Sequence, residues 1–286
     1  MEKSFLILFT LLILSGSFLY FGDVLAKPLK KERWVVYYGD SVPSEEFMPY
    51  DWIVFDSQKF PPLRPLMNRK KQLLGYLSIG EIEGSDYDFQ KIKEMGLILT
   101  ENPDWPGSFI VDIRDPRWKS YLIEKRIPTI LHKKFDGLML DTIDSPLHYE
   151  VKKGKKLKEV EEAAIDLIRS IKENYPRYTL MLNRGFEILP EVADHIDASL
   201  AESLLVNAKA TENEKRFFAK EDIESIRRQI TAAKKVNQKL KLFSLDYWNP
   251  EDHETVRKLY KVQRKRSFIP YIATIDLQSH HPEPKG

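Results

Sequence analysis

The 286-residue chain contains no cysteine. That removes disulfide frameworks, thiolate nucleophiles, zinc fingers and iron–sulfur clusters at one stroke. Glycine is scarce, at 12 residues, and nowhere forms the glycine-rich loop that cradles a phosphate. Neither sign of charge dominates: 45 basic residues against 43 acidic ones leave +2, too balanced for a nucleic-acid footprint. The six histidines never fall at HExxH spacing, so the zinc hydrolase pattern is absent. His280 and His281 are adjacent in a polar, proline-containing tail without a third ligand at motif spacing, and read as solvated. No cofactor or metal is implied, and nothing marks an obligatory protein partner.

The first 26 residues read as targeting. Lys3 precedes the uncharged run Phe5–Phe21, and Val24-Leu25-Ala26 places small or β-branched residues at the end. This is the layout of a secretory signal cleaved after Ala26. The 17-residue run also meets the lower limit for a membrane span, so an uncleaved N-terminal anchor is the alternative. Either way the expected location is secreted, periplasmic or cell envelope. Residues 27–286 remain as one domain.

That domain alternates short apolar runs with helical patterns. The runs are Trp34–Tyr38, Trp52–Asp56, Leu73–Ile79, Gly137–Asp141, Thr179–Leu182, Ala198–Ala201, Leu240–Leu245 and Phe268–Ala273. Nearly continuous apolar character suits parallel strands covered on both faces. Between them, Leu157–Tyr175 and Asn213–Val236 repeat apolar residues every three or four positions, as amphipathic helices do. Asp115-Pro116 reads as a helix start running toward His132, with Pro128 dividing that helix. Eight strands with crossovers predict an α/β fold, a (β/α)₈ TIM barrel, rather than an open doubly wound sheet. Two irregularities stand out. Phe109–Ile113 is a ninth strand-like piece inside a long excursion, and only 13 residues follow the last strand, too few for a full eighth helix.

Barrel active sites form at the C-terminal ends of the strands. Those ends carry Tyr38, Glu81 with Glu83, Asp141 with Asp144, Asn183, Glu202, Asp246 with Tyr247, and Tyr271. Aromatic faces cover the C–H faces of sugars, while carboxylates and amides bind hydroxyls. Glycoside hydrolysis also needs two carboxyl groups, one of them protonated. A divalent cation held by Asp141, Asp144, Glu202 and Asp246 is the competing use of the same oxygens, but their spacing does not favour it. The basic segment Lys152–Lys158 reads as a solvated loop.

At these residues the sequence resembles glycoside hydrolase family 114 and the related hydrolase domain of Pel-polysaccharide enzymes. The resemblance rests on Gly75-Tyr76-Leu77-Ser78-Ile79-Gly80-Glu81, on Phe135 to Ser145, on Leu182-Asn183-Arg184-Gly185-Phe186-Glu187 and on Ala201-Glu202-Ser203. It implies a barrel endo-glycosidase acting on α-1,4-linked galactosamine or N-acetylgalactosamine polymers. It places the catalytic pair on Asp141 and Glu202. Geometry then suggests Asp141 as nucleophile and Glu202 as general acid/base of a retaining mechanism. Tyr38, Glu81, Asp144, Asn183, Asp246, Tyr247 and Tyr271 are the expected substrate-binding residues. The substrate would be a partly deacetylated polysaccharide. A non-catalytic glycan-binding barrel of the cell envelope is the alternative, because a fold does not fix a function.

Overall fold

The computed structural model describes residues 32–67, 69–152, 157–206 and 220–285. The predicted segment 1–26 therefore lies outside the described residues, as does most of the basic segment 152–158. Eight parallel strands form one sheet: β1 (Trp34–Tyr37), β2 (Trp52–Phe55), β3 (Gln72–Ser78), β7 (Gly137–Asp141), β8 (Thr179–Asn183), β9 (Ala198–Glu202), β10 (Lys241–Tyr247) and β11 (Ile269–Ala273). They follow that order without a break, each hydrogen-bonded to the next, and the sheet curls until β11 meets β1. This is the predicted (β/α)₈ barrel. Every strand predicted from an apolar run is present, shifted by no more than two residues at either end.

The helices follow the predicted stripes. α5 (Leu157–Asn174) buries Val160, Ala164, Leu167, Ile168 and Ile171 against the barrel. α7 (Lys220–Val236) buries Ile230 and Ala233, and the expected start of this helix at Asn213 lies outside the described residues. α2 (Pro116–Tyr121) opens on Asp115, whose carboxylate accepts from the Arg117 amide at 2.9 Å. Pro128 does divide the segment: a π-helical turn at Leu122–Arg126 separates α2 from α3 (Ile127–His132). Proline has no amide hydrogen for the carbonyl four residues back, and the wider turn absorbs that missing bond.

The excursion after β3 is a small antiparallel sheet standing on the mouth. β4 (Glu81–Glu83), β6 (Ser108–Val111) and β5 (Ile98–Glu101) pair in that order, with α1 (Phe89–Glu94) between β4 and β5. Paired residues of antiparallel strands share a face. Glu81, Glu83, Ser108 and Ile110 thus lie on one side of this sheet, and Ile82 and Phe109 lie on the other.

No helix follows β11 among the described residues. The C-terminal tail takes that place on the β11–β1 seam, beside α8 (His253–Lys265). The Tyr38 amide donates to the Leu277 carbonyl, His280 Nε2 meets the Tyr50 hydroxyl at 2.8 Å, and the Arg264 guanidinium grips the Glu283 carboxylate. His280 also packs its ring against Phe47 and Tyr50. The expectation of solvated histidines is corrected for His280: the missing helix leaves an aromatic seam that the tail must cover. Tyr271 is likewise corrected. Its ring lies fully buried against Trp34 and Tyr50, and its hydroxyl accepts from the His281 amide at 3.2 Å. It closes the seam and cannot reach a substrate.

Truncation after Leu277 should therefore cost about 2 kcal/mol or more, lowering Tm by roughly 5 °C. Thermal unfolding measures this directly; an unchanged Tm would show that the tail contributes nothing to barrel closure.

Candidate active site

Three neighbouring strands end on three polar side chains. Asp141 closes β7, Asn183 closes β8 and Glu202 closes β9. The middle residue links the outer two. Asn183 Nδ2 donates to Asp141 Oδ1 at 2.8 Å and to Glu202 Oε2 at 2.6 Å, spending both its hydrogens. Those two oxygens are consequently no more than about 5.4 Å apart. The Tyr247 hydroxyl donates to the other Glu202 oxygen at 2.5 Å. Tyr76 hydrogen-bonds Asp141 from the opposite side, and its ring meets Tyr38 edge-on at 5.3 Å.

The local backbone is special at each of these strand ends. Thr142, Arg184 and Ser203, which follow Asp141, Asn183 and Glu202, all have positive φ, at 66°, 55° and 51°. Such a step turns the chain sharply away while the preceding side chain stays over the barrel mouth. It costs a non-glycine residue about 1 kcal/mol or more, so neighbouring contacts must hold it. Arg184 shows how: Nε pairs with Asp144 at 2.7 Å, and Nη1 reaches the Glu202 carbonyl at 3.2 Å.

The electrostatics favour one shared proton. Burial, followed by the nearby Glu202 charge, pushes the Asp141 carboxyl up to about 7; the Asn183 hydrogen bond works the other way. Burial and nearby acids also push three hydroxyls far above their ordinary range: Asp141 and Glu202 act on Tyr38 and Tyr247, and Asp141 with Glu81 acts on Tyr76. All three tyrosines stay protonated and act as donors. At neutral pH the site contains one carboxyl near half-protonation, a second acid beside it and a ring of hydroxyl donors. That is the equipment for acid/base chemistry beside a nucleophile.

The structure brings together Asp141, Glu202, Asn183, Tyr247 and Tyr38 among the expected residues. Asp144 stands at the rim, committed to Arg184. Two more expectations are corrected. Glu81 is buried, with its carboxylate engaged by Asn102 Nδ2 at 2.7 Å and by the Ser108 hydroxyl, so it fastens the small sheet. Asp246 is fully buried on the far side of β10, accepting from the Leu205 and Val206 amides at 2.7 and 3.1 Å and from Gln263. Burial raises its carboxyl, and those donors oppose the rise. It braces the loop after β9. Sequence reasoning passed over Tyr76, although β3 pairs with β7 so that Ser78 lies level with Asp141 and Tyr76 two residues below on the same face. Among the described residues no group of three or more potential ligands could hold a metal ion.

The raised carboxyl has a thermodynamic consequence. A carboxyl near 7 in the fold, against an ordinary 3.8, gives stability that is present below about pH 4 and lost as pH rises through 7. Asp141→Asn removes that loss. The variant should unfold at a higher temperature than wild type at pH 8, with the difference shrinking toward pH 4. Equal or lower Tm at pH 8 would mean Asp141 is ionised without strain.

Residues 23–285 match glycoside-hydrolase family GH114. The fold is shared with the glycoside hydrolase domain of PelA from Pseudomonas aeruginosa, at a TM-score of 0.77 and 22% identity over 88% of this chain and 98% of that one. A complex of Aspergillus fumigatus Ega3 with galactosamine is similar at a TM-score of 0.64 and 15% identity, covering 86% and 92%. An uncharacterized protein of Deinococcus radiodurans is 25% identical over 206 residues, 70% of this chain and 63% of its own length. The chain thus spans less than two thirds of that relative. With the family match running across the barrel and its mouth, the chain belongs to glycoside-hydrolase family GH114.

Proposed function

We propose that the protein is an exported endo-glycosidase that hydrolyses α-1,4-linked galactosamine-containing polysaccharide with retention of configuration. The observation that carries this reading is the Asn183 amide bridging Asp141 and Glu202. Retaining glycosidases hold their two carboxyl groups about 5–5.5 Å apart, and inverting ones about 6.5–9.5 Å apart, to admit a water. A single nitrogen bonded to both acids supports the shorter spacing.

In this reading Asp141 attacks the anomeric carbon and Glu202 protonates the departing glycosidic oxygen. Water then enters, activated by Glu202, and releases the sugar from Asp141. Burial favours a proton on Asp141, whereas attack requires this group ionised, so substrate binding must draw that proton away. A cationic aminosugar and the positive charge developing at the anomeric carbon both favour an ionised Asp141. Tyr76 and Asn183 remain as donors to that carboxylate, and Tyr247 steadies Glu202 through both steps.

The substrate class follows from charge as well as from family. Glu83, on the same side of the small sheet as Glu81, has its carboxyl raised by partial burial and by Glu81, Asp56 and Asp86 around it. Asp141 and Glu202 at the strand ends and this second group of acids beside the small sheet give local negative charge while the whole chain is nearly neutral. Such a local field attracts an amine-bearing polymer, because the protein walls concentrate it. The Ega3 complex with galactosamine and the PelA hydrolase domain support the same choice. Export rests on the residues 1–26 signal pattern.

Purified protein should shorten a partly deacetylated galactosamine polymer. Asp141→Asn and Glu202→Gln should each slow this about 1,000-fold or more while still binding the polymer. Product analysis across polymers of graded acetylation measures it. Cleavage of a neutral α-glucan or an anionic uronan instead would overturn the substrate. Full turnover in either variant would overturn the pair.

A further inference from the structure

Thr142 directly follows Asp141 and holds its backbone at φ 66°, in the left-handed region that a β-branched residue occupies at real cost. Glycine would carry no such cost, so the side chain must offset it. Thr142 Oγ1 accepts from the Gly80 amide at 3.0 Å and lies 2.7 Å from Ser78 Oγ. Ser78 Oγ reaches the Glu81 carbonyl at 2.8 Å, and Thr142 Oγ1 also lies 2.6 Å from the Asp141 carbonyl, so the Thr142 hydroxyl has two acceptors for its single hydrogen, Ser78 and Asp141. One hydrogen-bonded chain therefore links the Gly80 amide, Thr142, Ser78 and the Glu81 carbonyl, with the Asp141 carbonyl joined to it at Thr142.

The same place is crowded as well as bonded. A Cβ at Gly80 would stand 2.2 Å from the Thr142 carbonyl oxygen, so only glycine lets the exit of β3 approach this peptide. The Ile79 amide takes the Asp141 carbonyl at 2.9 Å, and the Ser145 amide takes the Thr142 carbonyl at 3.1 Å. Asp141 is thus fixed on both sides of its own backbone, and its carboxyl is presented to Asn183.

We propose that Thr142 is a positioning residue. Its hydroxyl locks the left-handed turn after β7 to the exit of β3, and this lock sets the Asp141 carboxyl at bonding distance from Asn183, within reach of Glu202. The methyl group is secondary; the hydroxyl carries the function. The geometry stands whatever the polymer is, although the kinetic part of the test rests on the glycosidase reading.

Three variants separate this from simple stabilisation. Thr142→Val keeps the shape and loses the hydroxyl, Thr142→Ser keeps the hydroxyl, and Ser78→Ala cuts the chain at its other end. On the galactosamine polymer, Thr142→Val should lower kcat by about 10-fold or more with KM within a factor of about two. Thr142→Ser should stay within about threefold of wild type. The Ser78→Ala/Thr142→Val double variant should be no slower than Thr142→Val alone, because both cut one chain. Titration of the Asp141 carboxyl by carbon NMR reads the positioning without any substrate. It should fall by about one pH unit in Thr142→Val, as the loosened group gains water, and should hold in Thr142→Ser. A folded Thr142→Val protein with wild-type kcat and wild-type Asp141 titration would overturn the proposal. So would multiplicative losses in the double variant. If wild type cleaves no galactosamine polymer yet the titration shifts as expected, the substrate reading fails and the positioning role stands.

Discussion

One amide group organises this mouth. Asn183 Nδ2 donates to Asp141 and Glu202 together, and the spacing, the shared proton and the orientation of the tyrosines are arranged around that contact. Two carboxyl groups in a buried site repel each other when both are ionised, and burial penalises each charge separately. A neutral donor between them moderates both effects without adding the cation that would silence the pair. Arg184 comes close, but Asp144 claims its Nε and its Nη1 reaches the Glu202 carbonyl.

The barrel makes the bridge possible through simple register. β8 lies between β7 and β9, so the last residue of the middle strand sits between the last residues of its neighbours. Three left-handed steps, at Thr142, Arg184 and Ser203, then carry the chain away from the mouth. Strain of this kind persists only where surrounding contacts over-determine it. Here the contacts come from the exit of β3, from the Asp144–Arg184 pair and from the small sheet fastened by Glu81. The insertion on top of the barrel is therefore mechanically joined to the acid at its centre.

Much of this is legible in the sequence, and what is not has separate physical causes. Eight apolar runs located eight strands because parallel strands buried on both faces must be continuously apolar. Asp141, Asn183 and Glu202 are legible because each ends its apolar run or directly follows it. Strand alternation accounts for Asp246 and Tyr76. Successive residues face opposite sides of a sheet, so once Tyr247 points at Glu202 its neighbour Asp246 must point at the helices. The same rule would have placed Tyr76 below Ser78 on the face of Asp141. Tyr271 and His280 could not be assigned without knowing that a tail replaces the eighth helix, since a barrel seam is a property of closure and not of any one segment. Glu81 follows Gly80 directly, where the chain leaves the barrel for the antiparallel sheet, and that change of direction turns its carboxylate from the mouth into the insertion.

The central claim is that Asn183 holds the two carboxyl groups at the spacing of a double displacement. The anomer formed first from a galactosamine oligomer, followed by proton NMR before mutarotation, tests it most directly. The account predicts an α-anomer as the initial product. An initial β-anomer would mean that water attacks in a single step, and would contradict the spacing that the amide imposes.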